Sequence, residues 1–311
     1  LSDDRLRELL EVQAHFRLPG VGLVEKDLLV VRAIAALAAI DATPFRLVFG
    51  GGTALARAHK LVRRMSEDVD FKIVPQASAP VSRSGIRRQL RRLREQVTLA
   101  LQSAGLAFDP ADESVTWSLN ENRYTVYQLP YAPITGGGQG LRPTIQIELT
   151  YAPMRHAPVT LPVISFVAEA TGRPPEATAV ACVSVLETAA EKLVALTRKT
   201  AMDMAGASRD PDPRLVRHVY DLHMMRALAD PAAVAGLARQ IAEADAQQFG
   251  HQYPAYASDI SGETRKALYA LRTDPLHSER YAGFLADMVY GERPSFDEAL
   301  GTVETLARMI W

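Results

Sequence analysis

The chain has 311 residues, 48% hydrophobic and 23% charged, which excludes disorder along its whole length and, at about 150 residues per domain, predicts two domains. Lys and Arg number 35 against 36 Asp and Glu, for a net charge of -1, so the chain is neither a basic nucleic-acid coat nor an acidic tail, and any affinity for nucleic acid must be local. The single Cys182 leaves no intramolecular disulfide and no multi-cysteine zinc site, and fits a reducing cytoplasm.

Residues 3–15 and 25–41 have helical periodicity, and Pro44 discourages continuation of the second helix. No apolar run approaches the ~20 residues of a membrane span, because the longest, near 28–40, is interrupted by Arg32. The first residues carry no apolar signal segment, so a cytoplasmic protein is expected. Residues 46–49 read as a short strand that stops at Gly50, Gly51 and Gly52, and Thr53 opens a helix. Over 69–74 the apolar residues Val69, Phe71 and Ile73 alternate with the polar ones, placing Asp68, Asp70 and Lys72 on one face of a strand.

Residues 83–104 predict a helix with Arg83, Arg87, Arg88, Arg91, Arg92 and Arg94 in its first half. Strands follow at 115–119, 123–129, 144–150 and 161–166. In the third of these, Gln146 and Glu148 share a face. A glycine-rich loop, Gly136 to Gly140, joins two strands. Beyond about residue 166 strand signals stop, and helices are predicted near 184–203, 213–229, 232–247, 262–272, 277–290 and 296–310. The expected fold class is therefore α+β, with a mixed sheet domain over 1–166 and a helical domain over 167–311.

Asp68 and Asp70 project together and can bind one or two hard divalent ions, Mg²⁺ or Mn²⁺. Upstream, the Gly51–Gly52–Thr53 turn offers backbone amides to the phosphates of an NTP. Arg57, Lys60, Arg63 and Arg64 add positive charge between the turn and the acidic pair. Glu148 supplies a third carboxylate, as a further metal ligand or as a base on an attacking hydroxyl. Phosphoryl transfer has an anionic transition state, so this grouping points to nucleotide chemistry.

Four segments carry a resemblance: 51–56 (GGTALA), 64–71 (RMSEDVDF), 187–196 (ETAAEKLVAL) and 217–222 (RHVYDL). Together they resemble the AbiEii/AbiGii nucleotidyltransferase toxins, a branch of the DNA polymerase beta-like nucleotidyltransferase superfamily that includes the mycobacterial MenT toxins. The resemblance implies a bilobed protein whose second domain completes the active-site cleft. It also implies the toxin of a type IV-like toxin–antitoxin or phage-defence pair, with a cognate antitoxin. For the MenT-like members it implies transfer of nucleotides to the 3′ end of tRNA, which blocks translation.

On these motifs Gly51, Gly52 and Thr53 correspond to the glycine turn, Asp68 and Asp70 to the metal-binding pair, and Arg64 and Ser66 to the positions just before it. Ser66 is also a candidate modification site. Lys192 corresponds to a helical lysine that contacts triphosphate, and Asp221 to a later catalytic aspartate. Met65 replaces the usual aromatic, and His218 stands where the family commonly has the first aspartate of its last element. Without the motif, Lys192 is a helix-surface lysine and Asp221 pairs with Arg217 one turn earlier.

Arg87, Arg88, Arg91 and Arg92 form a broad positive surface suited to the tRNA backbone. Two other readings keep the same residues. In one, the nucleotide is transferred to a protein hydroxyl; in the other, the chain is a non-catalytic NTP-binding interaction module.

Overall fold

The computed structural model describes residues 3–136, 141–208 and 211–310. It divides into two compact units, Leu1–Val183 and Ser184–Trp311. Most of the glycine-rich loop, residues 137–140, lies outside the described residues.

The first unit is built on a seven-stranded mixed sheet. In chain order its elements are α1 (Asp3–Phe16), α2 (Val21–Ala38), β1 (Phe45–Gly50), α3 (Gly51–Arg57), β2 (Asp68–Pro75), α4 (Arg83–Ser103), β3 (Thr116–Leu119), β4 (Tyr124–Pro130), β5 (Thr144–Tyr151), β6 (Val159–Val163), α5 (Phe166–Thr171) and β7 (Ala177–Cys182). The strand order is β3-β4-β5-β2-β1-β7-β6. β2 runs parallel to β5 and antiparallel to β1.

Alternation in β2 and β5 does what a half-buried sheet requires. Val69, Phe71, Ile73, Ile145, Ile147 and Leu149 face a core shared with Val30, Ile34 and Leu37 of α2 and Leu90, Leu93 and Val97 of α4. The residues between them, Asp68, Asp70, Gln146 and Glu148, therefore lie on the opposite, polar face.

The expectation of no strand beyond residue 166 is corrected by β7, which pairs parallel to β1 and antiparallel to β6. Its sequence, ATAVAC, is rich in alanine, a helix former poor in strand signal. The strand expected over 161–166 ends at Val163. There Ser165 caps α5, its side chain accepting from the Ala168 N–H, and the helix closes on Gly172 at φ 66. The compact sheet unit thus runs to Val183, beyond the boundary at 166 that the sequence suggests.

The second unit is helical: α6 (Val185–Met204), α7 (Arg217–Met225), α8 (Pro231–Phe249), α9 (Pro254–Ser258), α10 (Ile260–Thr273), α11 (Pro275–Met288) and α12 (Phe296–Arg308). α6 packs against α7, α8 and α10. Five of these helices begin at a Ser or Asp whose side chain accepts from a first-turn N–H: Ser184, Asp230, Asp259, Asp274 and Ser295. Among the described residues no helix is long and apolar enough to cross a membrane.

Candidate active site

β1 ends at Gly50, paired in register with Asp70 of β2. The chain then turns at once into α3 through Gly51, whose φ is +71. A Cβ at Gly51 would collide with the Asp70 carboxylate; one at Gly52 would collide with the Arg64 guanidinium and stand 2.9 Å from Ser66 Oγ. Both glycines are thus set by close approach, and the first also by its backbone conformation. Thr53, 1% exposed, uses its hydroxyl to donate to the Asp68 carbonyl at 2.5 Å, tying the start of α3 to the start of β2.

The parallel β2/β5 register sets Asp68 opposite Gln146 and Asp70 opposite Glu148. This brings the three predicted carboxylates onto neighbouring positions of one face. Glu148 accepts from Tyr124 Oη at 2.9 Å and from Gln146 Nε2 at 2.5 Å. Burial, and then the Glu148 carboxylate, push the Tyr124 phenol well above its ordinary range, so it is a firm donor. Asp68 Oδ1 accepts from Arg142 Nη1 at 2.6 Å.

Among the described residues no three or more His, Cys, Asp or Glu side chains gather closely enough to hold a metal ion. The donor set fits a hard cation of the Mg²⁺ type, which takes one or two carboxylates and completes its shell with water and substrate phosphate. Asp68 and Asp70 are the residues that would hold it.

Behind this face lies a buried ion pair absent from the sequence reading. Lys26 Nζ is 2.6 Å from Glu67 Oε2, with side chains 0% and 1% exposed. Burial drives the Lys26 ammonium below its ordinary range, against the pull of Glu67. A signal for it does exist: Glu25, Lys26 and Asp27 are three consecutive charges in a helix whose only other charge is Arg32, and all three are buried. Arg142 and Tyr124 gave no comparable signal, because each acquires its role from a strand pairing or loop path.

The basic cluster is corrected in part. Arg57 is buried, pairs with Asp27 at 2.6 Å and lies over the Phe166 ring at 3.4 Å, so its charge is consumed inside the fold. Burial lifts the Asp27 carboxyl to about 6, although Arg57 and the Phe166 N–H both oppose this. Lys60 reaches Glu169 at 3.5 Å on the surface, and Arg63 is exposed. Arg64, 2% exposed, donates to the Met65 carbonyl at 2.9 Å and places its other nitrogen beside Gly52. It is the cation of the four that belongs to the turn. Met65 is buried.

In the helical unit Lys192 Nζ meets Asp221 Oδ2 at 2.8 Å, with side chains 10% and 0% exposed. Lys192 is therefore not a helix-surface lysine, and Asp221 has a partner on another helix. His218 Nδ1 lies 3.5 Å from Lys192 Nζ. Burial, reinforced by the Lys192 charge, holds that imidazole well below its ordinary range and so neutral.

A family model described as "Nucleotidyl transferase AbiEii toxin, Type IV TA system" matches residues 33–302. The chain belongs to the AbiEii nucleotidyltransferase toxin family. The match covers most of both units, so the helical half is part of the AbiEii domain and not an addition to it. Among curated proteins none matches this AbiEii chain. One solved structure similar to it is the MenT4 nucleotidyltransferase toxin of Mycobacterium tuberculosis H37Rv, at 18% identity and a TM-score of 0.49, over 76% of this chain and 70% of that one.

The arginine helix α4 buries Ile86, Leu90, Leu93, Val97 and Leu101. Arg83, Arg87, Arg88, Arg91 and Arg92 are exposed, and Arg94 is half-buried. Arg83 pairs with Glu121 at 2.9 Å. The amphipathic pattern accounts for the arginines as the solvent face of a core helix, and it leaves the predicted patch available to a polyanion.

Proposed function

We propose that this AbiEii protein transfers a nucleotide from an NTP to the 3′ hydroxyl of tRNA, in a cytoplasmic toxin–antitoxin pair whose antitoxin restrains it. The observation that carries the reading is the placement of the Asp70 carboxylate against Gly51, with Arg64 beside Gly52, Asp68 two positions back on the same strand face and Glu148 in register with Asp70. In the reaction the acceptor oxygen bonds to the α-phosphorus, the bond to pyrophosphate breaks, and the acceptor proton passes to a carboxylate. Glu148 is our candidate base. Its contacts to Tyr124 and Gln146 hold its orientation, as a general base requires.

The turn at Gly51 and Gly52 and the Arg64 guanidinium receive the phosphates. Thr53 acts by fixing the turn to β2, since its hydroxyl is bonded to the Asp68 main chain. Ser66 lies against the same turn, where a phosphate would add negative charge beside the nucleotide. Asp68 and Asp70 would hold a Mg²⁺ or Mn²⁺, which would neutralise the charge that builds up on phosphate. On the family resemblance alone, Lys192 is assigned to the triphosphate and Asp221 to the orientation of Lys192. Arg87, Arg88, Arg91 and Arg92 are assigned to the tRNA backbone.

The test is incubation of purified protein with each labelled NTP and total tRNA, with and without Mg²⁺. Metal-dependent label on tRNA that is lost in Asp68→Ala is the expected result. No label on any RNA, or labelling undiminished by the substitution, overturns the proposal. Label migrating with a polypeptide transfers the reading to protein nucleotidylation.

A further inference from the structure

Arg142 is a charged residue to which nucleotidyl transfer, as derived above, gives no role, yet the fold goes to some length to place it. Its main chain is clamped on both sides by the buried Lys26–Glu67 pair. Glu67 Oε2 accepts from the Arg142 N–H at 2.8 Å, and Lys26 Nζ donates to the carbonyls of Arg142 at 2.6 Å and Thr144 at 2.9 Å. A buried ion pair is hard to sustain unless further hydrogen bonds satisfy it. Here those bonds hold the backbone from which Arg142 projects.

The side chain so aimed does not stop at a solvent-facing position. Nη1 donates to Asp68 Oδ1 at 2.6 Å and to Gln146 Oε1 at 2.5 Å. Gln146 in turn donates to Glu148, which also accepts from Tyr124. One guanidinium thus begins a hydrogen-bond chain from Asp68 to Glu148. The Arg142 and Asp68 side chains are 27% and 20% exposed, so unlike the clamp beneath it this pair is partly wet and can exchange partners at modest cost.

We propose that Arg142 is a resident counter-ion of the metal-binding carboxylates, occupying Asp68 while no nucleotide is bound and passing to the nucleotide's phosphates when the divalent ion takes Asp68. The inference rests on reading Asp68 and Asp70 as a metal pair. A guanidinium and a divalent cation compete for the same carboxylate oxygen, and the planar fork of Arg suits phosphate as well as carboxylate. Arg142 thereby weakens metal binding until a nucleotide draws it away from Asp68. Lys26 and Glu67 are positioning residues for it.

The test is calorimetric titration of Mn²⁺ into the nucleotide-free full chain as wild type, Arg142→Gln, Arg142→Lys and Asp70→Asn. A close ion pair damped by partial exposure predicts that Arg142→Gln binds Mn²⁺ about tenfold more tightly than wild type. With Mn²⁺ saturating, the same variant binds ATP, GTP, CTP or UTP about tenfold more weakly than wild type does. Arg142→Lys, which keeps the charge and loses the fork, falls between the two on both measures.

Equal or weaker Mn²⁺ binding by Arg142→Gln overturns the proposal. If Asp70→Asn then abolishes the Mn²⁺ heat seen with wild type, the metal pair stands without the counter-ion. Absence of Mn²⁺ binding by both wild type and Arg142→Gln overturns the metal pair and the proposal together.

Discussion

Gly51 and Asp70 exclude one another's growth: the left-handed turn at Gly51 brings its Cα so close to the Asp70 carboxylate that no side chain fits between them. The turn glycine and the second aspartate of the acidic pair are thus one geometric unit, created by the β1/β2 pairing of Gly50 with Asp70. Gly51→Ala is expected to cost about 1 kcal/mol in stability from the backbone alone. Because the added methyl also displaces the Asp70 carboxylate of the proposed site, transfer activity should fall roughly a hundredfold. Urea unfolding and the labelled-NTP assay together check this, and a variant with unaltered activity would show that the turn does not serve the chemistry.

The buried Lys192–Asp221 pair allows a test that separates stability from its proposed function. Lys192→Met leaves Asp221 buried without its cation, and a loss of about 3 kcal/mol in unfolding free energy is expected. In Lys192→Met/Asp221→Leu, two apolar residues replace the pair and most of that stability should return. Activity should return in neither. Thermal or urea unfolding measured beside nucleotidyl transfer decides it, and recovery of activity with stability would mark the pair as scaffold.

Asp27 predicts a pH signature for the fold. Burial raises its carboxyl from 3.8 to about 6, so the folded chain holds this proton more tightly than the unfolded chain does. The associated stability is fully present below about pH 3.8 and is lost as pH rises through about 6. Asn at position 27 cannot titrate. The unfolding free energy of wild type minus that of Asp27→Asn should therefore decline between about pH 4 and 6 and level off above. A difference that rises with pH over that window would contradict the burial argument.

Charge reversal on the outer face of α4 should leave the fold alone. Arg87 and Arg91 are exposed, and surface substitutions of this kind change stability by within about 0.5 kcal/mol. Arg87→Glu/Arg91→Glu is expected to weaken tRNA binding and to make its salt dependence shallower, by about one unit of slope for each phosphate contact removed. Filter binding across a salt series measures both. An unchanged slope would return this helix face to plain solvation.

Local pattern carried much of the molecule. Period-two alternation in β2 placed Asp68 and Asp70 on one face, and the glycine run marked the strand-to-helix turn. Helical periodicity marked most of the second unit. The short, alanine-rich β7 escaped because its identity depends on pairing with β1 and β6, and short α9 escaped because five residues carry little period.

Side-chain identity and spacing were enough to nominate Asp68, Asp70 and Glu148, because carboxylates gathered on one strand face after a glycine turn suit few chemistries, whereas Lys192 and Asp221 were nominated by the resemblance of their segments to the AbiEii family. Their partners were decided by the tertiary structure. Asp221 meets Lys192 across two helices, Arg57 is neutralised by Asp27 at 2.6 Å, and Arg142 reaches Asp68 from a loop 74 residues away. Charge is a property of a residue and can be read from the chain. The compensation of that charge depends on which other residue folding brings within hydrogen-bond distance, and no local period encodes it.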